Sequence, residues 1–336
     1  MTATDTYSGA FELDYERPLI LLEKQIAELE EQADPDRSAV GLASDLNLGS
    51  EIRKLRQSHT AMLKKIYKNL SGWQTVQCAR HPGRPQSSDY IQSFVKDFTE
   101  LHGDRCFGDD EAIVTGFGRI GQHKVMMIAH HKGTDTKSRL ACNFGMAHPE
   151  GYRKALLKMR LAEKFMIPVV ILIDTPGAYP GIEAEQRGQA EAIAQNLREM
   201  SRLRTPIISV IISEGASGGA LGIGVADRVA MMQYAWYSVI SPEGCAGILW
   251  KQASAANNSA AADALKLTAA DNLRLGTITD MIEEPLGGAH RNLSAAADRL
   301  EKYLIQTLRE LKRFKIDNLV NKRYQRLRHI GEVVDR

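Results

Sequence analysis

The chain has 336 residues, 43% of them hydrophobic and 25% charged, with 43 basic side chains against 41 acidic ones. That composition fits a globular protein with a sizeable core, arranged as one large domain or two modest ones. The net charge of +2 argues against wholesale nucleic-acid binding.

Residues 17–33 carry Leu19, Leu22, Ile26 and Leu29 at three- and four-residue steps, which predicts a helix. A Pro/Asp/Gly/Ser-bearing break over 34–50 and a second apolar stripe over 51–70 complete a helical hairpin that covers a core face. Residues 73–89 read as irregular and proline-rich, and 90–101 as a helix. Residues 113–120 and 124–129 read as a strand pair, and 150–166 as a helix opened by Pro149. The continuous apolar runs at 168–174 and 206–213 suit strands covered on both faces. Helix is expected at 183–203, 290–314 and 321–328, and short strands at 229–232, 238–241 and 278–282. Repeated strand-turn-helix order implies an α/β fold. The expected parts are an N-terminal hairpin (1–72), a central domain (73–315) and a helical tail (316–336).

Cys78, Cys106, Cys142 and Cys245 are scattered, so the sequence spells out neither a disulfide framework nor a zinc ribbon. This usage suits a reducing compartment. The opening Met1-Thr-Ala-Thr-Asp-Thr lacks a signal peptide's basic and apolar regions, and the apolar runs are too short to span a bilayer, so the cytoplasm is expected.

Several motifs offer themselves. Gly116-Phe-Gly118-Arg-Ile-Gly121 matches the dinucleotide-binding pattern, but a strand rather than a helix follows it, so it reads as a hairpin turn. Asp174-Thr-Pro-Gly177 resembles a GTPase switch, yet no phosphate-binding loop accompanies it. His130 and His131 are adjacent on a strand, point to opposite faces and make a poor metal pair, so no metal is expected. Gly215-Ala-Ser217-Gly-Gly219 fits the nucleophile elbow of α/β serine hydrolases, with Asp280 and His290 downstream in the order those enzymes use. That reading stays open on local spacing alone. Lys132, Lys137 and Arg139 lie on a polar loop and Arg323, Arg326, Arg328 and His329 on a terminal helix; both read best as solvated surfaces.

The same glycine turn serves without its serine. Gly218 and Gly219 sit where a strand ends and a helix begins, and the first amides of a helix have no internal partner. Glycine lets a ligand oxygen approach the main chain, which makes an oxyanion hole from N–H groups alone. Asp174-Thr-Pro-Gly-Ala-Tyr-Pro-Gly181 is a second such turn, one buried strand earlier, and the two together predict one pocket.

These two motifs resemble those of the alpha carboxyltransferase subunit of multi-subunit acetyl-CoA carboxylase. So do Ala79-Arg-His-Pro82, Asn143-Phe-Gly-Met146, Pro149-Glu-Gly-Tyr-Arg153, Ser241-Pro-Glu-Gly-Cys245, Glu284-Pro-Leu-Gly-Gly-Ala-His-Arg291 and Asn321-Lys-Arg-Tyr-Gln-Arg-Leu327. The likeness runs from about residue 12 to about residue 330, and Ala216, where the family pattern has glycine, departs from it. The resemblance implies a crotonase-like (ClpP/crotonase) fold of repeated ββα units. It also implies an alpha2-beta2 assembly with a beta subunit that carries the zinc ribbon and is associated with acetyl-CoA. This chain binds no cofactor covalently on that reading. It acts on carboxybiotin delivered by a biotin carboxyl carrier protein, which a biotin carboxylase loads using ATP and bicarbonate. The product is malonyl-CoA for fatty acid synthesis, made in the cytoplasm or, for a plastid-encoded chain, the stroma. Carried over by motif, Gly218 and Gly219 hold the biotin ureido oxygen, while Gly177, Ala178, Tyr179 and Gly181 line the biotin side. The remaining alternatives are the serine hydrolase using Ser217 and a non-catalytic assembly scaffold.

Overall fold

The structure, a computed structural model, describes residues 11–33, 42–251 and 254–331. Its strands are β1 (Val95–Glu100), β2 (Ile113–Ile120), β3 (His123–His130), β4 (Val169–Thr175), β5 (Ile207–Ala216), β6 (Arg228–Met232), β7 (Trp236–Ser238) and β8 (Asp280–Ile282). Among the described residues they form one sheet in the order β1-β2-β3-β4-β5-β6-β8, with β7 beside the last residues of β5. The pairings β1–β2 and β2–β3 are antiparallel and the others parallel. The hairpin β2–β3 followed by the helix Pro149–Lys164 is one ββα unit, and β6 and β7 followed by the helix Pro242–Trp250 are another in chain order.

The expectation of strands covered on both faces holds, because every residue of β4 and β5 is buried. Helices Pro149–Lys164 and Gln189–Arg202 pack together, the first of them on β2 and β3, and Leu293–Leu311 packs on β2, β5 and β8. The Gly116–Gly121 motif is a hairpin, as its sequence suggested. Gly121 turns it with φ +55°, and Cβ atoms at Gly116 and Gly118 would strike β1, at 2.5 Å from the Thr99 carbonyl and 2.4 Å from Val95 Cγ1. These glycines serve close strand approach rather than a nucleotide.

The helices Arg17–Gln32 and Leu42–Lys68 pair as a hairpin through Arg56–Glu30 (2.6 Å) and His59–Glu23 (2.8 Å). Arg291 pins the hairpin to the rest of the chain, reaching Glu16 at 3.0 Å and Glu23 at 2.7 Å, while Tyr67 donates to Glu16 at 2.6 Å. At the other end Arg323, in the helix Ile316–His329, is buried against Asp227 and donates to the carbonyls of Met200, Leu203 and Thr205. The terminal helix is therefore not simply a solvated face: its central arginine locks it onto the domain.

Several boundaries differ from the sequence reading. The second hairpin helix begins at Leu42, because leucines at 42, 46 and 48 are strong helix formers that outweigh Gly49; the part of the expected break at 34–41 lies outside the described residues. Residues 72–79 are helical, capped by a reciprocal Ser71–Gln74 box. The expected helix over 90–101 is instead a helix, Ser87–Phe94, running directly into β1. The long helix expected over 183–203 is split at Gly188, whose φ of +86° leaves the helical region.

Candidate active site

The buried strand β5 ends at Ala216, and the helix Ser217–Leu221 starts with Ser217 in the left-handed region at φ +56°. Among the described residues no acceptor pairs with the N–H of Gly218 or Gly219, as expected for the opening amides of a helix. Ser217 is exposed, Gly218 half-buried and Gly219 buried. The corner is held from behind by two helices: the Tyr152 hydroxyl donates to the Gly219 carbonyl at 3.2 Å, and Asn196 Nδ2 donates to the Gly222 carbonyl at 2.9 Å.

The second turn leaves β4 beside it. The Thr175 hydroxyl donates to the Gly145 carbonyl at 2.7 Å and accepts from the Gly177 N–H at 3.1 Å. Gly177 has φ +149°, a conformation that favours glycine, and no atom lies within 4 Å of where its Cβ would stand. Tyr179 stacks on His148 with ring centroids 4.2 Å apart, and His148 is fixed by Asn143 at 3.0 Å. Gly181 lets that ring lie flat, since a Cβ there would meet Tyr179 Cε1 at 2.4 Å. Of the six residues expected to form one pocket, Gly177, Ala178 and Gly219 are in backbone contact: a Cβ at 219 would stand 2.3 Å from the Gly177 carbonyl carbon and 2.4 Å from the Ala178 nitrogen. Tyr179 and Gly181 continue the same wall, and Gly218 stands beside Gly219, where a Cβ would meet only Ile193 Cδ1 at 3.8 Å.

Behind both turns lies a charge network to which the sequence reading assigned no role. Lys132 Nζ is 2.6 Å from Asp174 Oδ1 and 2.5 Å from Glu214 Oε2, Arg80 Nε is 2.6 Å from Glu214 Oε1, and Arg80 also pairs with Glu243. Arg80 in turn lies over the Trp236 ring, 5.5 Å from its centroid. Burial opposes charge on Glu214, but Lys132 and then Arg80 outweigh it and hold the carboxyl at about 2. Burial likewise works against the Lys132 ammonium, yet Asp174 and Glu214 raise its pKa above that of a free lysine. The polar-loop reading of Lys132 is thus corrected, since its side chain turns inward onto two strand-end carboxylates. Lys137 and Arg139 remain exposed. The hint in the sequence was that both Asp174 and Glu214 end continuous apolar strands, where a carboxylate needs a cation.

The serine hydrolase arrangement is not assembled. His290 stacks on His81 at 4.3 Å and bonds the Tyr67 hydroxyl at 3.3 Å, whereas Asp280 accepts from Tyr303 at 3.0 Å. Among the described residues no hydrogen bond joins Ser217, Asp280 and His290 to one another. His130 and His131 diverge, the first accepting from the Asp174 N–H at 3.4 Å and the second lying 3.4 Å from Cys142 Sγ. Asp174, the first residue of the GTPase-like motif, is spent on Lys132. Among the described residues no group of three or more His, Cys, Asp or Glu side chains is arranged to hold a metal ion, and no helix is long and apolar enough to cross a membrane.

This sheet, with its ββα units and the open amides at the end of β5, has a crotonase-like fold. The chain superposes on transcarboxylase 12S with a TM-score of 0.51 at 23% identity, covering 66% of this chain and 42% of that one. A Pseudomonas malonate decarboxylase hetero-tetramer chain gives a TM-score of 0.53 at 16% identity, covering 65% of this chain and 86% of that one. Sequence carries the assignment further. Residues 12–331 match the acetyl co-enzyme A carboxylase carboxyltransferase-like family. The chain is 51% identical over 95% of its length to the acetyl-coenzyme A carboxylase carboxyl transferase subunit alpha of Rhodopirellula baltica, covering 97% of that protein. It is 52% identical over 96% of its length to the protein of the same name from Chlorobium limicola, covering 98% of it. The chain belongs to this family.

Proposed function

We propose that the chain is the alpha half of a split, biotin-dependent carboxyltransferase. With a beta subunit it moves the carboxyl group of carboxybiotin, carried on a biotin carboxyl carrier protein, to acetyl-CoA and so yields malonyl-CoA for fatty acid synthesis. The observation that carries this reading is the pair of unbonded amides at Gly218 and Gly219, in a chain half identical over nearly its whole length to named alpha subunits.

The chemistry asks for donors and no side-chain base, because the biotin nitrogen that loses the carboxyl group takes the proton from the acetyl methyl, and the resulting enolate attacks the released CO2. As carboxybiotin gives up its carboxyl group, negative charge grows on the ureido oxygen. Donors that strengthen toward that charged state lower the barrier. The N–H groups of Gly218 and Gly219, which no acceptor in the described chain engages, are those donors. Gly177, Ala178, Tyr179 and Gly181 form the biotin side of the pocket, with Tyr179 braced by His148 as a flat apolar wall. The second oxyanion, on the acetyl thioester, belongs to the beta partner, as do acetyl-CoA binding and the zinc. A biotin carboxylase recharges the carrier. The chains assemble as alpha2-beta2 in the cytoplasm, or in the stroma of a plastid that encodes them.

The test combines this chain with its beta partner and measures malonyl-CoA-dependent carboxylation of free biotin, the reverse of the transfer. Activity is expected only with both chains present. A rate no higher than that of the beta partner alone would sink the reading.

A further inference from the structure

Each glycine turn of the pocket is preceded by one buried carboxylate, Asp174 three residues before Gly177 and Glu214 four residues before Gly218. The backbone ladder does not set the distance between them. β4 and β5 pair regularly from Val169↔Ile207 to Ile173↔Ile211, and the next pair is Thr175↔Gly215. Asp174 therefore stands alone opposite Ile212, Ser213 and Glu214. An irregularity of this kind interrupts the ladder, and only one β4–β5 pair, Thr175↔Gly215, follows it.

The bulged residues are drawn away from β4. Arg84 takes the Ile212 carbonyl at 2.8 Å, the Ser213 hydroxyl donates to the Ala79 carbonyl at 2.5 Å, and β5 moves from β6 to β7 as its neighbour. Across the bulge, the Glu214 N–H reaches Asp174 Oδ1 at a long 3.3 Å, and Lys132 bridges the two carboxylates at 2.6 and 2.5 Å. The chain makes room for that bridge. Gly145 has φ +85°, and a Cβ there would stand 2.7 Å from Lys132 Cγ. With a carboxylate on each side, the ammonium projects little field into the pocket. What it fixes is distance.

We propose that Lys132 is a positioning residue for carboxyl transfer: by holding Asp174 and Glu214 on one ammonium, it sets the spacing between the Gly177 turn and the Gly218–Gly219 corner. This rests on the function proposed above. A shift of about 1 Å between groups that must act together costs on the order of 10²-fold in rate.

The full-length chain, bound to its beta partner, is assayed by malonyl-CoA-dependent carboxylation of biotin, per mole of complex. Lys132→Met is expected to lower kcat by about 10²-fold while the KM for malonyl-CoA, whose site lies on the partner, moves by less than about twofold. Lys132→Arg, which can still bridge two carboxylates, is expected to recover at least about a tenth of the wild-type kcat. Should Lys132→Met fail to fold, Lys132→Met/Asp174→Asn leaves no carboxylate unpaired, because Glu214 keeps Arg80, and its kcat is expected to fall at least about tenfold. Either variant turning over within twofold of wild type, while Gly219→Val is inactive, overturns the role of Lys132. Wild-type turnover in Gly219→Val would instead remove the oxyanion-hole reading on which the role depends.

Discussion

Gly219 and Gly177 meet backbone to backbone across two strand ends, so close that any side chain at 219 would overlap the Gly177 carbonyl carbon. The contact joins the two turns into one wall. Gly219→Val cannot keep this geometry. Forcing a branched side chain into a packed position costs about 1–3 kcal/mol, and losing an aligned oxyanion donor costs about 10²–10³ in turnover. The variant is therefore expected to co-purify with the beta partner, to unfold at a modestly lower urea concentration, and to carboxylate biotin at least a hundredfold more slowly. Wild-type turnover would contradict the placement of the donor.

Most of this wall was readable from sequence, because glycines at the ends of two apolar runs mark strand-to-turn corners whatever the rest of the chain does. What escaped were features set by distant partners or by a local signal pointing the other way. β1 carries Lys96, Asp97 and Glu100 and lies at the sheet edge, so its pattern is polar. Tyr90, Ile91, Phe94 and Val95 continued a helical spacing straight into it. Asp97 at φ +52°, where the β1–β2 register shifts, broke the alternation that would have revealed a strand. The helix Gly72–Ala79 had a legible start in Ser71-Gly-Trp-Gln74, a capping box obscured by the prolines that follow it. Lys132 was the harder case. Its partners lie 42 and 82 residues further along the chain, and no spacing rule links a loop lysine to carboxylates near the ends of two later strands.

Ser217 separates the carboxyltransferase from the hydrolase reading. It is exposed, and no histidine or carboxylate among the described residues bonds to it. Ser217→Ala is expected to leave biotin carboxylation within about twofold of wild type, and a fluorophosphonate probe to leave the wild-type serine unlabelled. Its backbone matters more than its hydroxyl. At φ +56° an L-residue bears about 1–2 kcal/mol of strain. Ser217→Gly, which relieves that strain but gains unfolded-state entropy, is expected to change stability by no more than about 1 kcal/mol in a urea titration. Stoichiometric labelling of Ser217, or loss of activity in Ser217→Ala, would reopen the hydrolase.

His130 gives the fold a pH dependence with a definite sign. It is buried at the end of β3, its Nδ1 accepting from the Asp174 N–H at 3.4 Å. Burial, and then the nearby Lys132 ammonium, push its pKa down to about 3 from the ordinary 6.5. Between those values the unfolded chain binds a proton that the folded chain refuses. Its contribution to stability is therefore complete above pH 6.5 and drains away as the pH falls toward 3, at up to about 1.4 kcal/mol per pH unit. His130→Asn keeps an acceptor for the Asp174 amide and removes the titration. Urea midpoints measured from pH 7.5 to pH 5 are expected to fall more steeply for wild type than for the variant, the difference opening below 6.5. Parallel curves would mean that His130 is protonated in the folded chain, and the buried, neutral imidazole described here would be wrong.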